Sequence, residues 1–356
     1  MTDNKTKRKK TSSADQEKKK RMKRIAVALS VICFFAVAGI ATWSILFSGM
    51  APSSAIVRIP SNASKEQLRD SILKYLGEPY AKKVSRLVGM RGTDLSTRHG
   101  AYLIEAGMSP LDAMRRLTSG PQQPLTITIN GFRLLPVLEE KVAARFDFSK
   151  DSIASTLADA GILKEYGLSP EQALALFIND SYEFYWDASP ADVVKKVGAH
   201  FNDVWNADRK AKAKALGLSP AGVMTLASIV DEESNKLDEK GKIGRLYINR
   251  LQRGMRLEAD PTVRYAGGDF TVKRVTKPRE VESPYNTYLH AGLPPGPIRT
   301  TSVETIDAIL NSSPHDYIFM CAKEDFSGYH NFASTYSEHQ INARRYKREL
   351  DRRGIH

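Results

Sequence analysis

Residues Ile25 to Phe47, IAVALSVICFFAVAGIATWSILF, form a run of 23 positions without a single charge. At about 1.5 Å of rise per residue, a helix of that length crosses a hydrocarbon core of about 30 Å. A cleavable secretory signal is the rival reading, but its apolar region runs only about 7–15 residues and closes on a small-residue cleavage site. The length therefore favours an uncleaved anchor. Residues 1–24 carry eleven Lys or Arg against Asp3, Asp15 and Glu17, a net +8 placed directly before the span. The excess of basic residues on that side puts the N-terminus in the cytoplasm and everything after about residue 50 beyond the membrane.

That tail accounts for more than half of the formal +13, and the remaining +5 is scattered over the rest of the chain. No nucleic-acid-binding motif accompanies it, so the charge reports topology and no nucleic-acid partner is implied. Of the two cysteines, Cys33 falls in the span and Cys321 stands alone outside it, which excludes an intramolecular disulfide in the exported part. With 356 residues and 42% apolar content, the chain has material for two folded units beyond the tail.

The exported part alternates short strand and helix patterns, an α+β organisation. AIVRIP reads as a strand and SKEQLRDSILKYLG as a helix, with Ser64 as N-cap and Gly77 at its C-terminal end. A helix through EPYAKKVSRLV, a strand GAYLIE and a helix SPLDAMRRLTSG complete a small unit over residues 52–120. It holds no cluster of acids, histidines or nucleophiles, so it reads as a packing or carbohydrate-contacting module. PLTITING opens a larger unit, residues 124–350, with helices expected over 133–145, 150–164, 169–178 and 189–205. A Pro/Gly-rich loop at 292–297, a helix near 302–311, a strand DYIFMCA and a polar C-terminal helix follow.

One helix in this unit carries three carboxylates in a row, SIVDEESN, with Asp231, Glu232 and Glu233 side by side. Ser219 followed by Pro220 is a favoured helix start, so the segment is taken as helical from Pro220 to Ser234. At about 100° per residue, Val223, Leu226, Ile229 and Val230 share one face. Glu233 falls within roughly 40° of the centre of that stripe, whereas Asp231 and Glu232 lie more than about 120° from it. Glu233 is thus expected to point inward and its two neighbours to sit at the surface. A carboxyl led into apolar surroundings has its charged form disfavoured and can hold a proton near neutral pH, as a general acid must. A structural alternative pairs Glu233 with Arg245, Arg250 or Arg256.

The segments LASIVDEESN, KIGRLYINRLQRGMRLEADPTVRYA and SPYNTYLHAGLPPGPI, in that order, resemble the YceG-like family of endolytic murein transglycosylases. The resemblance spans roughly residues 50–350 and is weaker in the first unit. It implies a membrane-anchored enzyme that cuts nascent peptidoglycan strands internally, with a LysM-like module at 52–120 before a catalytic domain at 124–350. Its catalytic glutamate corresponds to Glu233, the acid that helical geometry selects independently. The resemblance further implies peptidoglycan glycan strands as substrate, the cytoplasmic membrane as anchor, and peptidoglycan synthases as candidate partners. Two departures stand out: Asn179-Asp180-Ser181-Tyr182 replaces a Pro-Asp-Thr-Tyr type segment, and Glu258 stands where some relatives carry an amide.

Around Glu233 the expected substrate-binding set is Asp260, Tyr285, Asn286, Tyr288, Glu258 and His330. Asp260 precedes Pro261, which biases it to an extended conformation, so it is expected on a turn lining the cleft. Tyr285 and Tyr288 offer stacking surfaces, and Asn286 an amide suited to N-acetyl groups. Asn249 and Arg250 are expected to hold the cleft together from a helix. The histidines show no HExxH or paired-ligand spacing and the chain has no G-x-S-x-G, so neither a metal, a serine nucleophile nor a cofactor is implied. Two other functions remain open on sequence grounds. One is a water-using muramidase with Asp260 or Glu258 as second carboxylate; the other is a non-catalytic, membrane-tethered glycan-binding scaffold.

Overall fold

In the computed structural model, which describes residues 3–61, 63–93, 97–271 and 275–354, the basic tail and the apolar run form one continuous helix. This helix, α1 (Asp3–Leu46), is rich in Lys and Ala and contains neither proline nor an internal break. Its stretch Gln16–Ser44 is long and apolar enough to cross a membrane, and none of it is buried against the protein. The chain divides into two compact units, residues 1–123 and 124–356.

In the first unit, β1 (Ala55–Ile59) pairs antiparallel with β2 (Gly100–Ile104), Ala55 opposite Ile104. Helices α2 (Lys65–Leu76), α3 (Glu78–Arg91) and α4 (Pro110–Ser119) complete it. Ser64 caps α2 through a reciprocal capping box with Gln67, and Gly77 ends the helix at φ 77, where a side chain would be strained. Val57 and Ile59 point from the strand into a core with Ile72, Leu76, Val84, Tyr102 and Leu117. The end of α1 is tied into the same unit: the Lys83 ammonium donates to the Ser44 carbonyl of the last helical turn at 3.3 Å and to the Ser48 carbonyl just past it at 2.8 Å, placing a cation at the helix terminus.

The second unit begins with β3 (Leu125–Ile129), followed by α5 (Leu135–Ala143), α6 (Lys150–Ala158) and α7 (Ala160–Lys164). The single helix expected over 150–164 is two, because Asp159 leaves the helical conformation and turns its carboxylate onto the Gly161 amide at 2.7 Å, capping the second piece. Residues 170–176 form a 3₁₀ helix. An unexpected strand, β4 (Asp180–Phe184), then pairs with β3. It carries Asp180 to Tyr182 of the departure, and Asn179 just before it is a brace: its side-chain Oδ1 accepts from the Thr300 hydroxyl at 2.6 Å and the Gly131 amide at 3.2 Å.

Four helices follow: α8 (Pro190–Val204), α9 (Ala207–Ala215), α10 (Pro220–Glu233) and α11 (Leu237–Gln252). After them come α12 (Asp260–Gly267), α13 (Val303–Leu310), the hairpin β5 (Phe319–Ala322) and β6 (His330–Ala333), and α14 (Tyr336–Arg353). Ser219 caps α10 by accepting from the Gly222 amide. Every residue of α10 from Val223 to Asp231 is buried, because α9, α11, α12 and α13 pack around it. Helices α11 and α13 approach closely: a Cβ on Gly241 would lie 2.7 Å from the Ala308 carbonyl oxygen. This central placement of α10 decides the surroundings of its three acids.

Candidate active site

Helix α10 ends at Glu233 because Ser234 turns to extended backbone, which leaves the carboxyl at the floor of a cleft of about 430 Å³. Helix α11 supplies Leu246, Tyr247 and Arg250 to one wall, the segment before α12 supplies Leu257 and Glu258, α12 supplies its first residue, Asp260, and β5, β6 and α14 close the far side. The Tyr247 hydroxyl donates to Glu233 Oε1 at 2.7 Å. Burial raises the Glu233 pKa above the ordinary carboxyl range, outweighing the Tyr247 hydrogen bond and the charge of His330, both of which lower it. No cation pairs with Glu233 among the described residues, so the alternative that ties it to Arg245, Arg250 or Arg256 does not hold. Burial also pushes Tyr247 well above its ordinary value, which keeps its hydroxyl protonated as a donor.

The two neighbouring acids are not at the surface, and the expectation that they face solvent is wrong. Asp231 is 7% exposed and pairs with the Lys240 ammonium at 2.6 Å, while the hydroxyls of Thr301 and Thr305 donate to it at 2.6 Å each. Glu232 is 12% exposed and is held by Arg133 and Arg299, each at 2.9 Å. Both point away from the cleft, as the helical angles require, but the opposite side of α10 is also covered by protein. The three acids thus divide into one unpaired carboxyl facing the cleft and two paired ones tying α10 to the surrounding elements.

Of the expected binding residues, Asp260, Tyr288, Glu258 and His330 line the same cleft as Glu233. Asp260 is the first residue of α12 rather than part of a turn; Pro261 in second position lacks only an amide hydrogen that the first turn leaves unused. The Tyr288 hydroxyl donates to Asp260 at 2.6 Å. Glu258 is committed to the Arg250 guanidinium and sits in the left-handed region at φ 51. His330 Nδ1 lies 2.8 Å from Glu239 Oε2, and its backbone amide donates to Glu239 Oε1 at 2.8 Å, so a buried carboxylate orients the imidazole from behind.

The structure does not bring Tyr285 and Asn286 to the cleft. Asn286 is fully buried: its amide donates to the carbonyls of Pro278 and Val281, both at 2.7 Å, and its oxygen accepts from the Tyr288 amide. It shapes the turn that presents Tyr288 and has no atom left for an N-acetyl group. Tyr285 packs on Tyr265 with ring centroids 4.7 Å apart and does not line the cleft. Asn249 donates to the carbonyls of His315 and Tyr317, and Arg250 to those of Arg256 and Ile318, so both hold the cleft walls as expected. The sequence alone assigns no role to Tyr247 or Glu239. Ile243, Leu246, Tyr247 and Arg250 follow helical spacing, a signal that places Tyr247 beside Arg250.

A family model described as YceG-like matches residues 57–345. The endolytic murein transglycosylase of Bacillus subtilis strain 168 is 28% identical over 300 residues, covering 80% of this chain and 82% of that protein. The endolytic murein transglycosylase of Streptococcus pneumoniae strain R6 is 26% identical over 261 residues, 65% of this chain but 47% of the longer streptococcal protein. Among solved structures, a YceG-like protein from Listeria monocytogenes matches with a TM-score of 0.54 at 25% identity, covering 81% of this chain and 98% of that one.

Proposed function

The chain belongs to the YceG-like family, and we propose that its cleft cuts the bond between N-acetylmuramic acid (MurNAc) and N-acetylglucosamine (GlcNAc) inside peptidoglycan strands, with Glu233 as the catalytic group. It is a lytic transglycosylase acting on peptidoglycan, as the activity named for its bacillar and streptococcal relatives supports. The observation that carries the assignment to Glu233 is its setting: a carboxyl on the cleft floor, raised in pKa by burial and held by a tyrosine instead of a cation.

In the proposed cycle, neutral Glu233 gives its proton to the bridging oxygen as the C1–O bond breaks, releasing the 4-hydroxyl of GlcNAc. The 6-hydroxyl of the same MurNAc attacks C1, and its proton passes to the Glu233 carboxylate, restoring the acid. No water is consumed, and the new end is a 1,6-anhydro-MurNAc. One carboxyl suffices because the nucleophile is already part of the substrate, where a high effective molarity favours ring closure. Tyr247 donates to one carboxyl oxygen and leaves the other free to carry the proton.

Asp260 and Glu258 give the cleft further carboxyls, which keeps the water-using muramidase, with either as second carboxylate, as the competing reading. Mass spectrometry of products from purified chain and intact glycan separates the two: anhydro ends are expected, and reducing MurNAc ends would select the muramidase. If Glu233→Gln supports cell-wall function as well as the unaltered chain does, the scaffold reading replaces both. The same proposal places α1 across the cytoplasmic membrane with the two units outside, assigns residues 52–120 to LysM-like glycan contact, and leaves synthases as candidate partners.

A further inference from the structure

Polysaccharide clefts need apolar faces as well as acids, because a pyranose ring presents C–H groups on its faces and hydroxyls around its rim. Most of this cleft is polar and already engaged: Glu258 with Arg250, Asp260 with Tyr288, Glu233 with Tyr247. Of its aromatic rings, Phe319 is covered, with the Arg250 guanidinium 5.8 Å from its centroid and His339 stacked on it at 5.2 Å and 21°. Burial and the neighbouring Arg250 charge lower the His339 pKa, so this imidazole stays neutral and stacks as an aromatic ring. Tyr336 differs from both, being 62% exposed while lining the same cleft as Glu233.

We propose that Tyr336 is a sugar-stacking platform at the mouth of the cleft, taking the C–H face of a pyranose ring of the glycan strand near the bond being cut. The proposal rests on the reading that this cleft cleaves peptidoglycan. The ring already has two aromatic neighbours. Phe319 and His339 flank it, with centroids 5.9 and 6.2 Å away. Its backbone opens α14, where Thr335 and Glu338 form a reciprocal capping box. With most of its surface exposed, the ring leaves a face open to a ligand and has few internal contacts to lose on substitution, and its two χ angles keep the freedom lost on binding small.

The test uses the full-length chain in detergent and peptide-free glycan strands, with binding measured in a Glu233→Gln background so that the strands stay intact. Tyr336→Ala should weaken binding roughly 3- to 10-fold, the range that aromatic stacking supplies, whereas Tyr336→Phe, which keeps the ring face, should bind like Tyr336. Melting temperatures should agree across the set. In the active background Tyr336→Ala should raise KM and leave kcat nearly unchanged. Equal affinity of Tyr336→Ala and Tyr336, or Tyr336→Phe as weak as Tyr336→Ala, overturns the platform while cleavage by the parent chain stands. A parent chain that neither binds nor cuts the strands overturns the cleavage reading, and the platform falls with it.

Discussion

Asp231→Asn removes one charge from inside the second unit while keeping the side chain's size. Asp231 accepts three donors, the Lys240 ammonium and the hydroxyls of Thr301 and Thr305, each at 2.6 Å. An asparagine has one carbonyl oxygen to offer them and must turn its amide hydrogens toward at least one donor. Lys240, only 14% exposed, is left without a counter-ion. Breaking a buried pair by removing one partner costs about 3–5 kcal/mol. In a unit of this size about 1 kcal/mol moves the midpoint by roughly 2–4 °C, so melting should fall by roughly 6–20 °C. Trp186 and Trp205, both buried in the second unit, report its unfolding by fluorescence. Below the transition, turnover per folded molecule should be close to that of the unaltered chain, because Asp231 does not line the cleft. Adding Lys240→Met should recover part of the loss, since the orphaned charge goes with it. A midpoint shifted by less than about 2 °C would refute the buried pair and with it the central position of α10.

Glu233→Gln should reduce turnover by about 10²–10⁴-fold while stabilising the fold at neutral pH. The raised pKa of Glu233 means that below the ordinary carboxyl range the group is neutral in both folded and unfolded chains. As pH rises the unfolded chain ionises first and wild-type stability falls until the folded pKa is passed, a loss that glutamine escapes. Melting temperatures of the pair should therefore converge near pH 4 and separate as pH rises; a gap independent of pH contradicts the buried acid. Tyr247→Phe removes a hydrogen bond that lowers the Glu233 pKa, so the alkaline limb of the pH–rate profile should move to higher pH, and an unmoved limb argues against the contact. A reporter fused after the last residue should work only beyond the membrane, and cytoplasmic activity rejects the proposed orientation.

Legibility in the sequence followed the range of the interactions. Ser64, Gly77 and Ser219 mark helix ends through contacts a few residues away, and each is found where local chemistry places it. Strand β4 is hard to read from the sequence because its partner β3 lies some fifty residues earlier, and its alternation is confined to Tyr182 and Phe184, with Asp180, Ser181 and Glu183 holding the other three positions. At the site, helical angles were enough to separate Glu233 from Asp231 and Glu232, since direction around a helix is a local property. Whether the far side of that helix meets water is not local. The stripe argument assumes a helix with one wet face, yet AGVMTLASIV carries only Thr225 and Ser228 as polar residues ahead of the acids. A helix apolar nearly all round is a buried helix. A buried helix calls for partners to Asp231 and Glu232, which Lys240 provides from the next helix and Arg133 and Arg299 from distant segments. Asn286 failed in the opposite sense: an amide between two tyrosines looks like a sugar ligand until the carbonyls of Pro278 and Val281 are seen to occupy it. A polar side chain is free to bind substrate only after its internal obligations are met, and those depend on segments that only the fold brings together.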